Sequence, residues 1–529
     1  MASEILKLCM GKGFLLDREM LDLLSNFNEE GIKEVINVLG NLGIEERVIT
    51  KTLFMKHFDK FKDLLINNRG VDEVDSFFVS IGYVREREKR DIEKIVEEKN
   101  LSGKVKIISS PAFLQKKIVV LDFVKHFRSR FNSLKNILEL KDFENLSSIR
   151  KIKGNSGSYT IIACIMAKRI TKNKNLIATI EDLTGSATIL INQNRKDVFE
   201  KGRNLLEDDI VAFKVTSNGE MLFADDIIYP EASLEEKKYS NFDEYVAFIS
   251  DIHVGSNMFL EKNLLKFVKW LNGEEGNDYQ KKIAKKVRYL FVNGDTVEGV
   301  SVYPGQDKSL DILEMSGQYD KLAEILKLVR KDIKILIGPG QHDAVWIGEP
   351  QPIIGEKWAR ELHKMENVIL IPNPCLVEID GGFKILTYHG ASMHGIIESI
   401  SEIRLKHGHN NPTRVVKEML KRRHLAPMHG FCDYIPCEKD PLVIDIIPDI
   451  LTTGDQHRCE VSIYNNILLI ASSCWQARTP FEEKVGNNPD PCKVPIFNLK
   501  TREVKILDFS GDISEEAKNV DETILDETI

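Results

Sequence analysis

The chain has 529 residues, 42% of them hydrophobic, and a formal net charge of −8. Three or four domains fit that length at about 100–200 residues each. No apolar run approaches the ~18 residues of a membrane span. The start, "MASEILKLCMGKGFLLDREM", lacks a signal-peptide layout, and the acidic balance disfavours a free-standing nucleic-acid binder, which is usually basic. A cytoplasmic protein without membrane contact is expected. Its eight cysteines form no CxxC pair, and Cys432 and Cys437, with four residues between them, have no second pair beside them, so all eight read as reduced structural thiols.

Residues 1–70 predict a helical module: "NEEGIKEVINVLGNLG" and "ITKTLFMKHFDKFKDLLIN" repeat apolar residues at i, i+3 and i+4. Residues 71–140 read as a charged linker, "REREKRDIEKIVEEKN", followed by one amphipathic helix with Phe123, Phe127, Phe131, Leu134 and Leu138 on a single face. Across 141–232 the period changes to that of strands. "YTIIACIMAKRI", "NLIATIEDLTG" and "SATILI" precede a helical "RKDVFEKGRNLL" and two more strands, the order of an OB-fold barrel. Its aromatics, Tyr159, Phe199, Phe213 and Phe223, mostly suit core positions, which favours a docking barrel over a base-stacking one. From 240 to 509 short apolar runs alternate with helical stretches, as in an α/β domain with layered sheets. The acidic tail, 510–529, is expected to be disordered.

Five apolar runs of the α/β region each end in a polar cluster. "YVAFISDIHVGS" ends in Asp251 and His253, and "RYLFVNGDTVEG" in Asn293 and Asp295. "IKILIGPGQHDA" ends in Gln341, His342 and Asp343, "FKILTYHGAS" in His389, and "IPDILTTGDQHR" in Asp455 and His457. Sites in open α/β folds gather at the carboxyl ends of strands. Carboxylates, imidazoles and amides without thiolates compose a centre for Mn, Fe or Zn rather than a structural zinc cage. A lone DxH at a strand end is more often a hydrogen-bonded turn, but five such tips in succession outweigh that alternative.

The order DxH, GD, GNH(D/E), H, GHxH resembles that of the calcineurin-like metallophosphoesterases. The resemblance implies that Asp251, His253 and His457 hold one metal, that Asp295 bridges two, and that His389 helps hold the second. It makes His342 the proton donor or phosphate-stabilising group, with Asp343 orienting it. Gln341 stands where Asn is usual and Asp455 where the first His of GHxH is usual; both fall on the second site and leave its occupancy open. The implied cofactors are two divalent ions, Mn²⁺ first, with Mg²⁺, Fe²⁺ or Zn²⁺ as alternatives.

An OB-like barrel directly before such a domain, with "LKRRHLAPMHG" (420–430) and "DPLVIDIIPDILTTGDQH" (440–457), is similar to the small, B-type subunit of archaeal family D DNA polymerases. That resemblance implies a metal-dependent 3′–5′ proofreading exonuclease in the cytoplasm, associated with the nucleoid. Its partners would be a large polymerising subunit, DNA with single-stranded 3′ ends, and further replication factors. The alternatives are an architectural subunit with a weakened metal site and a stand-alone small-molecule phosphoesterase. Arg404, Lys406, Arg414, Lys421, Arg422 and Arg423, within "RLKHGHNNPTRVVKEMLKRRH", are the candidate DNA contacts, set against the alternative of a solvated helix. The neighbouring His394, His407, His409, His424 and His429 are read as surface or core residues rather than ligands.

Overall fold

The computed structural model describes residues 103–111, 117–485, 487–511 and 518–520, together with Cys9, Gly11, Gly13, Leu15–Leu16 and Val48–Ile49. The chain divides into two units, Met1–Leu101 and Ser102–Ile529. In the first unit Leu15–Leu16 pairs in parallel with Val48–Ile49. Most of the helical module expected over 1–70, and the charged run 85–100, lie outside the described residues.

The second unit begins with a strand in a stretch whose sequence reads as linker. In β1 (Val105–Ser109) two isoleucines follow a single lysine, and it pairs antiparallel with Cys375–Ile379. The predicted amphipathic helix is α1 (Val120–Glu139). Phe131, Leu134 and Leu138 are buried against Ile162, Ile210 and Ala212, while Phe123 and Phe127 meet the ring of Tyr434 edge-on.

Five strands then close into a barrel: β2 (Ser156–Ile170), β3 (Leu176–Asp182), β4 (Gly185–Ile191), β5 (Ile210–Asn218) and β6 (Leu222–Ile228), in the order β2-β3-β4-β6-β5. Helix α2 (Lys196–Arg203) lies between the third and fourth strands, as expected. Alternate residues such as Ile161, Ala163 and Ile165, or Leu176, Ala178 and Ile180, fill the interior, because successive side chains of a strand point to opposite faces. Phe213 is in that core, Tyr159 and Phe199 pack against it, and Phe223 is 37% exposed.

The remainder is built on two sheets. One contains β7 (Tyr245–Ile249), β8 (Val287–Asn293), β9 (Lys334–Gly338) and β10 (Val368–Leu370), all parallel. The other contains β11 (Cys375–Ile379), β12 (Phe383–Thr387), β13 (Ile450–Thr453), β14 (Glu460–Tyr464) and β15 (Ile467–Ala471), with β1 at its edge. β16 (Lys493–Asn498) and β17 (Val504–Asp508) extend the first sheet beyond β7. Lys518–Val520 pairs with β17, so three residues of the expected disordered tail form an edge strand.

The run "YVAFI" of β7 is buried along its whole length because its two faces enter two cores. Val246 and Phe248 join Phe291, Leu336, Ile385 and Ile470 between the sheets. Tyr245, Ala247 and Ile249 face the opposite way, toward helices Glu261–Leu271 and Met315–Lys327. The outer face of the second sheet is covered by α3 (Pro412–Arg422) and Met393–Ser399. This helix–sheet–sheet–helix order is the layered α/β domain expected over 240–509.

Candidate metal centre

The five clusters follow β7, β8, β9, β12 and β13, each at the strand's carboxyl end. Register brings the tips level: Ile249 pairs with Val292 and Val292 with Ile337, while Thr387 pairs with Thr452 across the other sheet. Asn293 ties the sheets together, its Nδ2 donating to the carbonyls of Tyr388 and Thr452 at 3.0 Å each. Asp251, His253, Asp295, Asp455 and His457 all have φ between 46° and 66°. Non-glycine residues rarely occupy this left-handed region, and five of them around one point mark a place where packing holds the backbone in a costly shape. Gly340 is required by close approach, since a Cβ there would meet the Asp295 carboxylate and His389 Nε2.

Three imidazoles are pinned by one nitrogen and present the other. His253 Nδ1 lies 2.9 Å from Glu298 Oε2, His457 Nδ1 2.8 Å from Glu482 Oε1, and His389 Nδ1 2.8 Å from the Asn293 carbonyl. The acceptors on His457 and His389 fix the Nδ1–H tautomer and turn Nε2 to the site, while His253 turns its Nδ1 to the Glu298 carboxylate and its Nε2 to the site. His253 Nε2 and His457 Nε2 then face each other at 3.3 Å. Two ring nitrogens at that distance need a shared proton or a cation between them. Asp251 Oδ1 is 3.5 Å from His457 Nε2, and Asp295 Oδ2 is 3.2 Å from His389 Nε2.

Three donor groups form among the described residues, Asp251 with His253 and His457, Asp251 with Asp295 and His389, and His253 with Glu298 and His342, the ligand atoms of each lying within 4.8 Å of one another. Gln341 Oε1 is buried and finds no hydrogen-bond partner among the described residues, nor does His389 Nε2. These orphaned atoms and buried carboxylates fit divalent cations, whose charge would offset the cost of burying anions. Burial opposes ionisation of Asp295, yet His389, His342 and His253 around it hold its carboxyl well below the ordinary range. For Asp455 burial prevails, with Asp251 and Asp295 adding to it, and its carboxyl is raised.

The assigned residues do not all sit as expected. Asp455 gives its backbone N–H to the Asp251 carboxylate, at 3.2 and 3.1 Å, while its own Oδ2 accepts from Gln456 Nε2 at 2.6 Å. His342 Nδ1 lies 2.7 Å from the Glu298 carbonyl, and its ring meets that of His253 edge-on. Asp343 does not orient that imidazole. Its carboxylate accepts from Thr296, Tyr319 Oη (2.8 Å) and Gly340 N (2.9 Å), so it secures the turn carrying Gln341 and His342. The Glu298 carbonyl takes the orienting role instead. Glu298 and Glu482 were not singled out in the sequence. Glu298 lies three residues beyond Asp295, and Glu482 completes the capping box Thr479-x-x-Glu482, its Oε2 accepting from Thr479 N at 2.8 Å.

The basic segment divides. Arg404 and Lys406 are exposed, with Lys406 3.2 Å from Glu402, and Arg414 and Lys421 are half-buried. Arg422 and Arg423 are 3% and 4% exposed, which removes them from the candidate DNA contacts. Arg422 Nε donates to Asp209 Oδ1 at 2.8 Å and its Nη2 to the Asn204 carbonyl at 2.6 Å, joining α3 to the barrel. Arg423 donates to the carbonyls of Ile444 and Asp445 at 2.6 and 2.7 Å. Neither was separable from its neighbours by sequence, because a charge run gives no indication of which positions turn inward to serve buried acceptors.

Residues 246–462 match the family of B subunits of DNA polymerases alpha and epsilon. A DNA polymerase II small subunit of Methanothermobacter thermautotrophicus is 36% identical over 391 residues, covering 74% of this chain and 79% of the relative. The chain belongs to the archaeal DNA polymerase II small-subunit family. Another small subunit, from Archaeoglobus fulgidus, is 30% identical over 506 residues, covering 94% of this chain and 96% of the relative. Among solved structures, vacuolar protein sorting 29 from Cryptosporidium parvum aligns at 15% identity over 53% of this chain and 98% of its own, with a TM-score of 0.27. No helix among the described residues of this small subunit is long and apolar enough to cross a membrane.

Proposed function

We propose that this chain is the small subunit of a family D DNA polymerase, and that its strand-tip centre removes nucleotides from DNA 3′ ends by metal-dependent phosphodiester hydrolysis. The observation that carries this reading is the facing pair His253 Nε2 and His457 Nε2, 3.3 Å apart, beside the Asp251 carboxylate. Asp251, His253 and His457 would hold one divalent ion, Asp295 would serve both, and His389, Gln341 and Asp455 would complete the second. Bound there, two ions such as Mn²⁺ would supply an acidified water and offset charge on the attacking and leaving oxygens. The chain's own part is orientation. Glu298 and Glu482 turn the Nε2 atoms of His253 and His457 to the site, and the Glu298 carbonyl fixes His342 so that its Nε2 is the nitrogen left for the scissile phosphate or leaving oxygen.

Polymerisation falls to a large partner subunit, which is the proposed docking target of the barrel and α1. The five-strand order of the barrel supports an OB-fold. Arg404 and Lys406 remain as exposed cations for the DNA backbone, and the complex would act in the cytoplasm at the nucleoid with other replication factors. One observation favours a second, architectural reading with a weakened site: Asp455 is engaged by Gln456 and falls outside all three donor groups. The test is incubation of the full chain, with and without its large subunit, on 3′- and 5′-labelled single strands in Mn²⁺. Stepwise shortening from the 3′ end supports the exonuclease; intact strands in both preparations support the architectural role.

A further inference from the structure

Asp455 replaces an imidazole with a shorter, freely rotating carboxylate, so something must aim it. Two side chains outside the proposed ligand set do so. Gln456 Nε2 donates to Asp455 Oδ2 at 2.6 Å, and Gln456 Oε1 lies 2.7 Å from His409 Nδ1. The amide has one orientation that works: turned over, it would set its own oxygen against the carboxylate. In the working orientation Oε1 needs a donor, and His409 Nδ1–H supplies it. Gln456 is buried, and the His409 ring is stacked on His394 with centroids 5.2 Å apart and planes 20° apart, so neither partner swings freely. With Oδ2 engaged, Oδ1 is the oxygen that Asp455 has left for a cation.

We infer that His409 is a positioning residue for the second cation: its Nδ1–H, acting through the Gln456 amide, sets the Asp455 carboxylate in its ligating orientation. The inference rests on the two-cation reading and is independent of whether the centre cuts DNA. It also links the centre to the helix Ser401–Lys406, which ends three residues before His409 and carries the exposed Arg404 and Lys406.

The experiment is Mn²⁺ titration of the full chain by calorimetry, in the wild type, His409→Ala and His409→Asn. Wild type is expected to take two ions. His409→Ala should weaken the looser site about 10- to 100-fold, the usual effect of losing an outer partner of a ligand, and leave the tighter site unchanged. His409→Asn, whose amide nitrogen reaches the Nδ1 position, should restore the looser site to within a few fold. Unchanged binding in His409→Ala, a parallel loss at both sites, or failure of His409→Asn to restore binding would overturn the positioning role. A wild type that takes one ion would overturn the two-cation reading beneath it.

Discussion

Replacing Arg422 by Met separates the two uses of the basic segment. Arg422 is 3% exposed and bonds Asp209, itself 3% exposed, at 2.8 Å, while also reaching the Asn204 carbonyl and Glu418. Met fills most of the volume of the Arg stem, so the loss is mainly electrostatic. Breaking a buried pair from one side costs about 3–5 kcal/mol, because the partner is left charged without compensation. Burial already raises the Asp209 carboxyl, with Arg422 the foremost group lowering it, so in the variant Asp209 should take up a proton. The deficit should therefore grow as pH rises, and Asp209→Asn in the same chain should recover much of it. Urea unfolding of wild type, both single variants and the double variant measures the coupling. Arg404→Met, an exposed site, should shift stability by less than about 0.5 kcal/mol. Removing a cation that touches a DNA phosphate lowers the salt slope by about 1; Arg404→Met should show such a change and Arg422→Met none. An Arg422→Met variant of wild-type stability with a lowered salt slope would refute the buried assignment.

His424 makes stability depend on pH. It accepts from Ala426 N at Nδ1 (3.0 Å) and meets Asp440 through Nε2 (3.0 Å), so it is held neutral. Burial, with Arg130 next, lowers it from 6.5 to about 4. The unfolded chain therefore binds the extra proton first, and stability should fall as pH drops from 6.5 to 4, by up to about 3 kcal/mol, in unfolding titrations; His424→Gln should flatten that slope. Glu482→Gln weakens the acceptor on His457 Nδ1 and should cost about tenfold or more in affinity at the tighter Mn²⁺ site, measured by titration. Gln341→Asn withdraws the buried Oε1 by one methylene and should loosen the weaker site while sparing the tighter one. Tighter binding in that variant would mean that the longer side chain is strained in place.

The strand tips were legible because continuous apolar runs bounded by Gly and polar residues mark buried parallel strands, and five of them carried ligand-type side chains. The barrel was legible for the same reason: Ile161, Ala163 and Ile165 keep a period of two. Three features were not legible. β1 hid inside a charged stretch because its pairing partner, Cys375–Ile379, is some 270 residues away. Arg422 and Arg423 looked like surface charge because the acceptors that draw them inward, Asp209 and the carbonyls of Ile444 and Asp445, come from other elements. Glu298 and Glu482 are ordinary acidic residues until the fold sets each beside a histidine.

Asp295→Asn tests most directly whether the strand-tip centre is a nuclease. Asp295 Oδ2 is 3.2 Å from His389 Nε2, and Oδ1 accepts from His342 N at 2.8 Å, so the isosteric amide should retain the fold while removing the charge meant for both ions. The measurement is single-turnover release of the 3′-terminal nucleotide in Mn²⁺ by wild type and Asp295→Asn, each checked for association with the large subunit. Cleavage by the wild type, a fall of about 10²–10³-fold in the variant, and equal association are the expected results. A variant that cleaves at the wild-type rate would contradict a metal-dependent centre built around Asp295.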